Sequence, residues 1–185
     1  LRGEESAGDA VFTRSFCDSL QIPCQVESIA VAQEANGENL EDTARKIRYD
    51  FLRRAQRLFG AQKIATAHHA DDQAETLLLH LVRGAGLEGL AAIAPQEKDL
   101  IRPFLCVDRE EILAYLVRQD LAYRTDSSNF SDRYRRNHMR KYLLPMLRQY
   151  NPQVVMALNH TASICREDNT YLEEQATKVY HAMVQ

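Results

Sequence analysis

Apolar residues recur at helical spacing in several stretches of this chain, and polar or glycine-containing segments separate them. Phe12, Phe16 and Leu20 are four apart, which predicts an amphipathic helix over residues 10–20. The LRGEES opening reads as a loop with Ser6 or Asp9 as the helix cap, and Pro23 stops the helix. The β-branched run CQVESIAV then predicts a short strand, followed by a loop at Asn36-Gly37. A second helix is expected from about Leu40 to Phe59, with Ala44, Ile47, Phe51, Ala55 and Leu58 as its buried stripe and Gly60 as its C′ glycine. KIATA is a compact apolar run, and a third helix follows from about Gln73 to Val82, with Ala74, Leu77, Leu78 and Leu81 facing inward.

Beyond it, three glycines between Gly84 and Gly89 predict a loop or a broken helix end, and Leu100 to Leu105 a short edge strand because of Pro103. Asp108 with Glu111 has capping-box spacing and opens a helix to about Gln119. Residues 122–137 read as a polar loop, and from Asn137 the pattern is helical, with Pro145 and Pro152 as breaks. Helices alternating with strands over short connections predict an α/β fold. The expected architecture is a Rossmann-like parallel sheet with flanking helices, followed by a helical extension.

At 185 residues, 45% hydrophobic and 26% charged, the chain has ordinary globular composition and room for one full domain with an appendage. No apolar run approaches the roughly 18–20 residues that span a bilayer, and residues 1–20 lack the basic-then-apolar pattern of a secretory signal. Cys17, Cys24, Cys106 and Cys165 are widely spread without a CxxC pair, which argues against a disulfide framework or zinc knuckle and for a reducing, cytoplasmic setting.

The net charge of −3 hides a strong polarity. Residues 1–42 balance to −7, whereas residues 45–63 and residues 133–148 each balance to +6. Two basic surfaces are therefore available to a polyanion despite the acidic total.

The densest cluster of chemically capable side chains is HHADDQAET, between an apolar run and an apolar helix. In open parallel sheets ligands bind where strand ends meet helix N-termini, and His68, His69, Asp71 and Asp72 are expected there. Asp72 and Glu75 share one face of a first helical turn, where carboxylates orient an amine, hold magnesium or accept a proton. The structural alternative is that Asp72 and Glu75 serve only as helix-start acids in a capping box. A divalent-metal site of a phosphohydrolase is a further alternative for the same loop, with His138 the one other histidine near polar groups.

The second cluster is TDSSNFSDRYRRNHMRKYLLP, where Arg136 and Arg140 are four apart on one helical face, a spacing suited to gripping phosphate. A third piece is ARKIRY, with Arg45 and Arg48 on the side opposite Ile47, a pair that by itself reads as surface charge.

Taken in order, LRGEES, ARKIRYDFL, ATAHHADDQAETLLLHLVRGAGLEGL, IRPFL with the Asp108 helix, and DSSNFSDRYRRNHMRKYLLPML resemble the tRNA(Ile)-lysidine synthetases, a family of PP-loop ATPases. The resemblance is specific where HHADDQAET and RRNHMR occur together. It implies an adenine nucleotide alpha-hydrolase-like fold, with residues 1–148 part of the catalytic domain and 149–185 a helical linker or the start of a following domain. It also implies ATP-dependent ligation of free L-lysine to the wobble cytidine of an isoleucine tRNA with a CAU anticodon, through an adenylated base.

ATP and Mg2+ are the cofactors implied, with a homodimer as a candidate assembly. His68, Asp71, Asp72 and Glu75 are the implied catalytic group, and Arg48, Arg136, Asn137 and Arg140 the implied nucleotide contacts. The ligands of the metal are left open.

One feature of the family does not occur in these residues: the Ser-Gly-Gly-x-Asp-Ser nucleotide loop. Without those backbone amides the isolated chain is expected to bind ATP poorly and to be inactive by itself. Tight magnesium-ATP binding in a calorimetric titration would contradict this. Of the rival readings, a tRNA thiolase asks for reactive cysteines or an iron–sulfur cluster that four scattered cysteines do not offer. A non-catalytic RNA-binding relative would show salt-dependent tRNA binding without turnover.

Overall fold

The computed structural model describes residues 4–34, 39–125 and 135–184, which divide into two compact units, Leu1–Ile64 and Ala65–Gln185. In the first, α1 (Glu4–Ser19) begins earlier than the cap signals suggest. Ser6 and Asp9 therefore lie inside it, and the Asp9 carbonyl accepts a hydrogen bond from Thr13 Oγ1. Phe12 and Phe16 stack on its surface at 6.5 Å.

The strand expected at CQVESIAV is absent. Residues 24–30 are irregular, and Val31 opens a short helix, α2 (Val31–Glu34), that packs on α3 (Leu40–Leu58). β-Branched residues favour a strand only where a neighbouring strand supplies hydrogen bonds and a face to pack against. None of the described residues forms a strand ladder with this stretch. The α3 stripe is half-buried at Ala44, Ile47, Phe51 and Ala55, but Leu58 in the last turn is exposed. Gly60 sits just beyond with φ +62°, the left-handed conformation a C′ glycine accepts without strain.

The second unit carries the candidate chemistry. A three-stranded sheet, ordered β1-β3-β2, consists of β1 (Ile64–Ala65), β2 (Gln96–Glu97) and β3 (Leu100–Ile101). The sheet is mixed, since β2 and β3 form an antiparallel hairpin with Gln96 opposite Ile101. Between β1 and this hairpin run α4 (Ala70–Val82) and α5 (Leu87–Leu90). After it come α6 (Arg109–Arg118), α7 (Arg135–His138), a π-helical turn (Met139–Leu143), α8 (Leu144–Tyr150) and the long α9 (Val154–Val184).

The core of the unit forms where α4 meets α8 and α9, with Ala70, Ala74, Leu78, Leu144 and Val155 packed together. Small alanines on α4 let the other helices approach closely. Met139, Leu143, Leu147, Val154 and Leu158 surround that cluster. Leu77 is buried as its spacing predicts, whereas Leu81, one turn further, is 53% exposed. Burial on this face thus ends before the helix does.

Pro145 does not break the helical run as expected. A proline has no N–H to donate to the carbonyl four residues back, and the chain accommodates this with the π turn directly before it. Leu144 N–H donates to Met139 O, five residues back, so the helical path continues to Tyr150.

Three side chains tie the segment after α5 in place. Gln73, buried on α4, donates to Ala91 O and accepts from Ile93 N. Arg166 of α9 donates to the same carbonyl and to Ile93 O, and Arg102 reaches Ala94 O. Gln73, part of the HHADDQAET cluster, therefore serves the scaffold.

Candidate functional site: a buried ion-pair network between two helices

Helix α4 starts at Ala70, three residues before the position its apolar periodicity marks, so Asp71 and Asp72 belong to its first turn. His69 is the N-cap, and its backbone N–H donates to Asp72 Oδ2 at 3.0 Å. The capping box thus pairs His69 with Asp72, and not Asp72 with Glu75 as the sequence alternative had it. Glu75 is left for another role.

That role is set by the helix running from α7 into the π turn. Glu75 is fully buried at 0% exposure. Arg136 Nε donates to its Oε2 at 3.0 Å, Arg140 Nε to its Oε1 at 2.6 Å, and Arg140 Nη2 to its Oε2 at 3.1 Å. Arg136 Nη2 also donates to the Asp72 carbonyl and to Thr76 Oγ1. A buried carboxylate survives only when its lone pairs are met by cationic donors, and two forked guanidinium groups do so here.

Asp72 Oδ1 lies 3.4 Å from Arg140 Nη2 and 3.8 Å from Arg136 Nη2, longer contacts that leave it the least committed acid of the group.

Asp71 faces another way. Its Oδ2 accepts from the backbone N–H of Arg109, the first residue of α6, and its Oδ1 accepts from Arg148 Nη2 at 3.0 Å. Arg148 Nη1 also donates to Glu110. Burial pushes the Asp71 carboxyl up, but His69, the Arg109 amide and Arg148 together hold it at about 2.

His69 lies between the two aspartates, with Nδ1 3.5 Å from Asp71 and Nε2 3.5 Å from Asp72. Contact with Asp71 raises its imidazole above the ordinary value against the pull of burial, and the charges of Asp72 and Asp71 add to this while Arg140 opposes it. The two 3.5 Å contacts are long for hydrogen bonds, so they act chiefly as charge contacts.

A folded-state pKa depressed below the unfolded value contributes stability above the unfolded pKa, lost as pH falls through the folded one. For Asp71 that window runs from about pH 4 down to about 2 and is worth about 2 kcal/mol. Asp71→Asn is therefore expected to lower stability at pH 7 by about that amount and to flatten the acid limb. Urea unfolding at pH 7, 4 and 3 measures both effects.

Of the residues expected at the site, Asp71, Asp72, Glu75, Arg136 and Arg140 come together in this network. Asn137 is buried beside them in sequence on α7. His68 lies in the β1–α4 connection, its Nδ1 2.9 Å from Thr66 Oγ1. Arg48 belongs to the first unit, exposed on α3. Residues 126–134 of the second basic cluster, Arg133 among them, lie outside the described residues.

Two participants were not assigned from the sequence. Arg148 continues the fourfold spacing of Arg136, Arg140 and Leu144, a signal the apparent break at Pro145 concealed. Arg109 contributes a backbone amide, for which the residue type carries no signal at all.

The metal-site alternative for the loop does not match this donor set. Asp71 and Glu75 are held by arginine and backbone donors, and among the described residues no three His, Cys, Asp or Glu side chains converge as metal ligands. No described helix is long and apolar enough to cross a membrane.

A model of the PP-loop domain family matches residues 1–147, and the chain belongs to that family. It is similar to proteins named tRNA(Ile)-lysidine synthase. The one from Parabacteroides distasonis is 40% identical over 184 residues, covering 96% of this chain and 42% of that protein. The one from Bacteroides thetaiotaomicron is 37% identical over 185 residues, covering 97% and 43%. The one from Bacillus cereus strain ATCC 14579 is 40% identical over 182 residues, covering 95% and 38%. The chain thus spans less than half the length of these relatives.

Among solved structures, the U34-tRNA thiolase NcsA from Methanococcus maripaludis superposes with a TM-score of 0.66 at 19% identity, over 86% of this chain and 55% of that one. That likeness establishes the α/β fold expected from the sequence, with its flanking helices.

Proposed function

We propose that this chain is part of a ligase that joins L-lysine to the wobble cytidine of an isoleucine tRNA, with residues 1–148 in its catalytic domain and 149–185 a helical extension. The observation that carries this reading is the similarity to lysidine synthases over nearly the whole chain, running through both HHADDQAET and RRNHMR, which the fold joins in one network. In the reaction proposed, the O2 of the cytidine attacks the α-phosphate of ATP and pyrophosphate leaves. The lysine side-chain amine then attacks C2 and displaces AMP.

The residues suit the charges such a reaction moves. A lysine amine, with an unperturbed pKa of about 10.4, arrives protonated and must lose a proton before it attacks. Asp72, the least committed acid, binds the ammonium, and in this reading His68 assists in removing its proton. Glu75 positions: it fixes the two guanidinium forks. Arg136 is held through Nε and Nη2, so its Nη1 can meet a phosphate oxygen, and Arg140 and Asn137 of the same unit add further nucleotide contacts.

A magnesium ion would find one suitable carboxylate here, Asp72, with phosphate oxygens and water as its other ligands. Its chemistry would be to neutralise charge on the departing pyrophosphate.

The test is transfer of radiolabelled lysine to tRNA(Ile) with a CAU anticodon by the full-length protein containing this chain. ATP-dependent incorporation into the wobble cytidine is the expected result, and none, under conditions where the protein is folded and binds ATP, refutes the reading. A homodimer in a cytoplasmic setting accords with it, and sedimentation of the full-length protein checks the assembly.

A further inference from the structure

Helix α3 is divided by charge. Its half-buried side carries Ala44, Ile47, Phe51 and Ala55. On the opposite side Arg45, Tyr49, Arg53 and Arg57 follow one another at fourfold spacing, with Lys46 beside them. One helical turn separates each member from the next, so the row extends roughly 18 Å along the axis.

The Arg45 guanidinium lies over the Tyr49 ring, 5.0 Å from its centroid, which holds the cation in place without neutralising it. Among the described residues no carboxylate pairs with Arg45 or Arg57. Arg54, one position off the row, is held by an acid, Glu27. Asp50 is the single acid between Arg45 and Lys63, in a chain whose total charge is −3.

We infer that this face of α3 docks the phosphate backbone of the RNA substrate, with Arg45, Lys46, Arg53 and Arg57 as contacts, an inference that rests on the tRNA reading above. A row of this length suits several successive phosphates rather than the compact charge of one nucleotide. The strongly acidic flank of residues 1–42 repels a polyanion, so the field directs it to this helix. The contacts are to phosphate and carry no base specificity. Their signature is salt dependence.

The experiment measures binding of tRNA(Ile) to the full-length protein from low to moderate salt, for the parent and for R45Q/R53Q/R57Q. The variant is expected to bind at least tenfold more weakly at low salt, with the slope of log affinity against log salt reduced by about two to three, as three lost phosphate contacts require. Circular dichroism and ATP binding should match the parent. Arg53 is half-buried, so R45Q/R57Q repeats the test at exposed positions alone, with a slope reduced by about one to two.

Parental affinity and slope in both variants would overturn the inference and leave the ligase reading standing. A parent that neither binds nor modifies tRNA would instead overturn the ligase reading, and this inference with it.

Discussion

Replacing Glu75 with alanine is expected to lower the unfolding free energy by about 3 kcal/mol and to abolish lysine transfer by the full-length protein. Its carboxylate is fully buried and accepts three hydrogen bonds from Arg136 and Arg140. Removing it leaves two guanidinium groups facing each other across a void. Breaking a buried pair by deleting one partner costs about 3–5 kcal/mol, and the lower end applies because these arginines keep about a third of their surface in water.

Glu75→Gln separates charge from volume. It fills the space yet loses the negative charge, so it should recover the packing part and little of the activity. Midpoints of urea unfolding, set beside lysine-transfer rates for both variants, decide the matter. A Glu75→Ala protein as stable as its parent would mean that the two arginines find other partners.

Asp72→Asn should be the reverse case, with a large effect on activity and a small one on stability. The expected loss in lysine transfer is about a hundredfold or more, the range that removal of a positioned proton acceptor gives. Asparagine keeps the side-chain oxygen that accepts from the His69 backbone, so the cap on α4 survives. It cannot hold an ammonium ion by charge or take its proton. If Asp72 handles the amine alone, Asp72→Asn should still adenylate tRNA and release pyrophosphate, with lysine transfer failing afterwards. Separate assays for pyrophosphate release and lysine incorporation read the two steps. Equal loss in both would move Asp72 to the nucleotide, and normal rates in both would remove it from the site.

Much of this was legible in single residues. The α3 and α4 periodicities and the Asp108–Glu111 capping box that opens α6 describe interactions between residues three or four apart, which the chain makes wherever it goes. In the structure Asp108 Oδ1 accepts from Glu111 N at 2.8 Å and Glu111 Oε2 from Asp108 N at 2.9 Å. The clustering of HHADDQAET and RRNHMR marked the two halves of the ion-pair network for the same reason. Misreadings arose where a distant partner decides. CQVESIAV has the side chains of a strand but no neighbouring strand among the described residues. Pro145 has the residue type of a break, yet a π turn carries the helix past it.

The division follows from range. Helix periods, caps and the concentration of charge in two segments are properties of neighbours along the chain, so the amino-acid order alone settled them. Which charges meet is a property of docking. Glu75 and Arg136 are 61 residues apart, and Asp71 and Arg148 are 77 apart. Only the packing of residues 135–150 on α4, around Ala70, Ala74 and Leu144, brings them within hydrogen-bond reach. The same two clusters that read as an amine site and a phosphate clamp thereby become one network, because charges interact strongly only at close range and away from water.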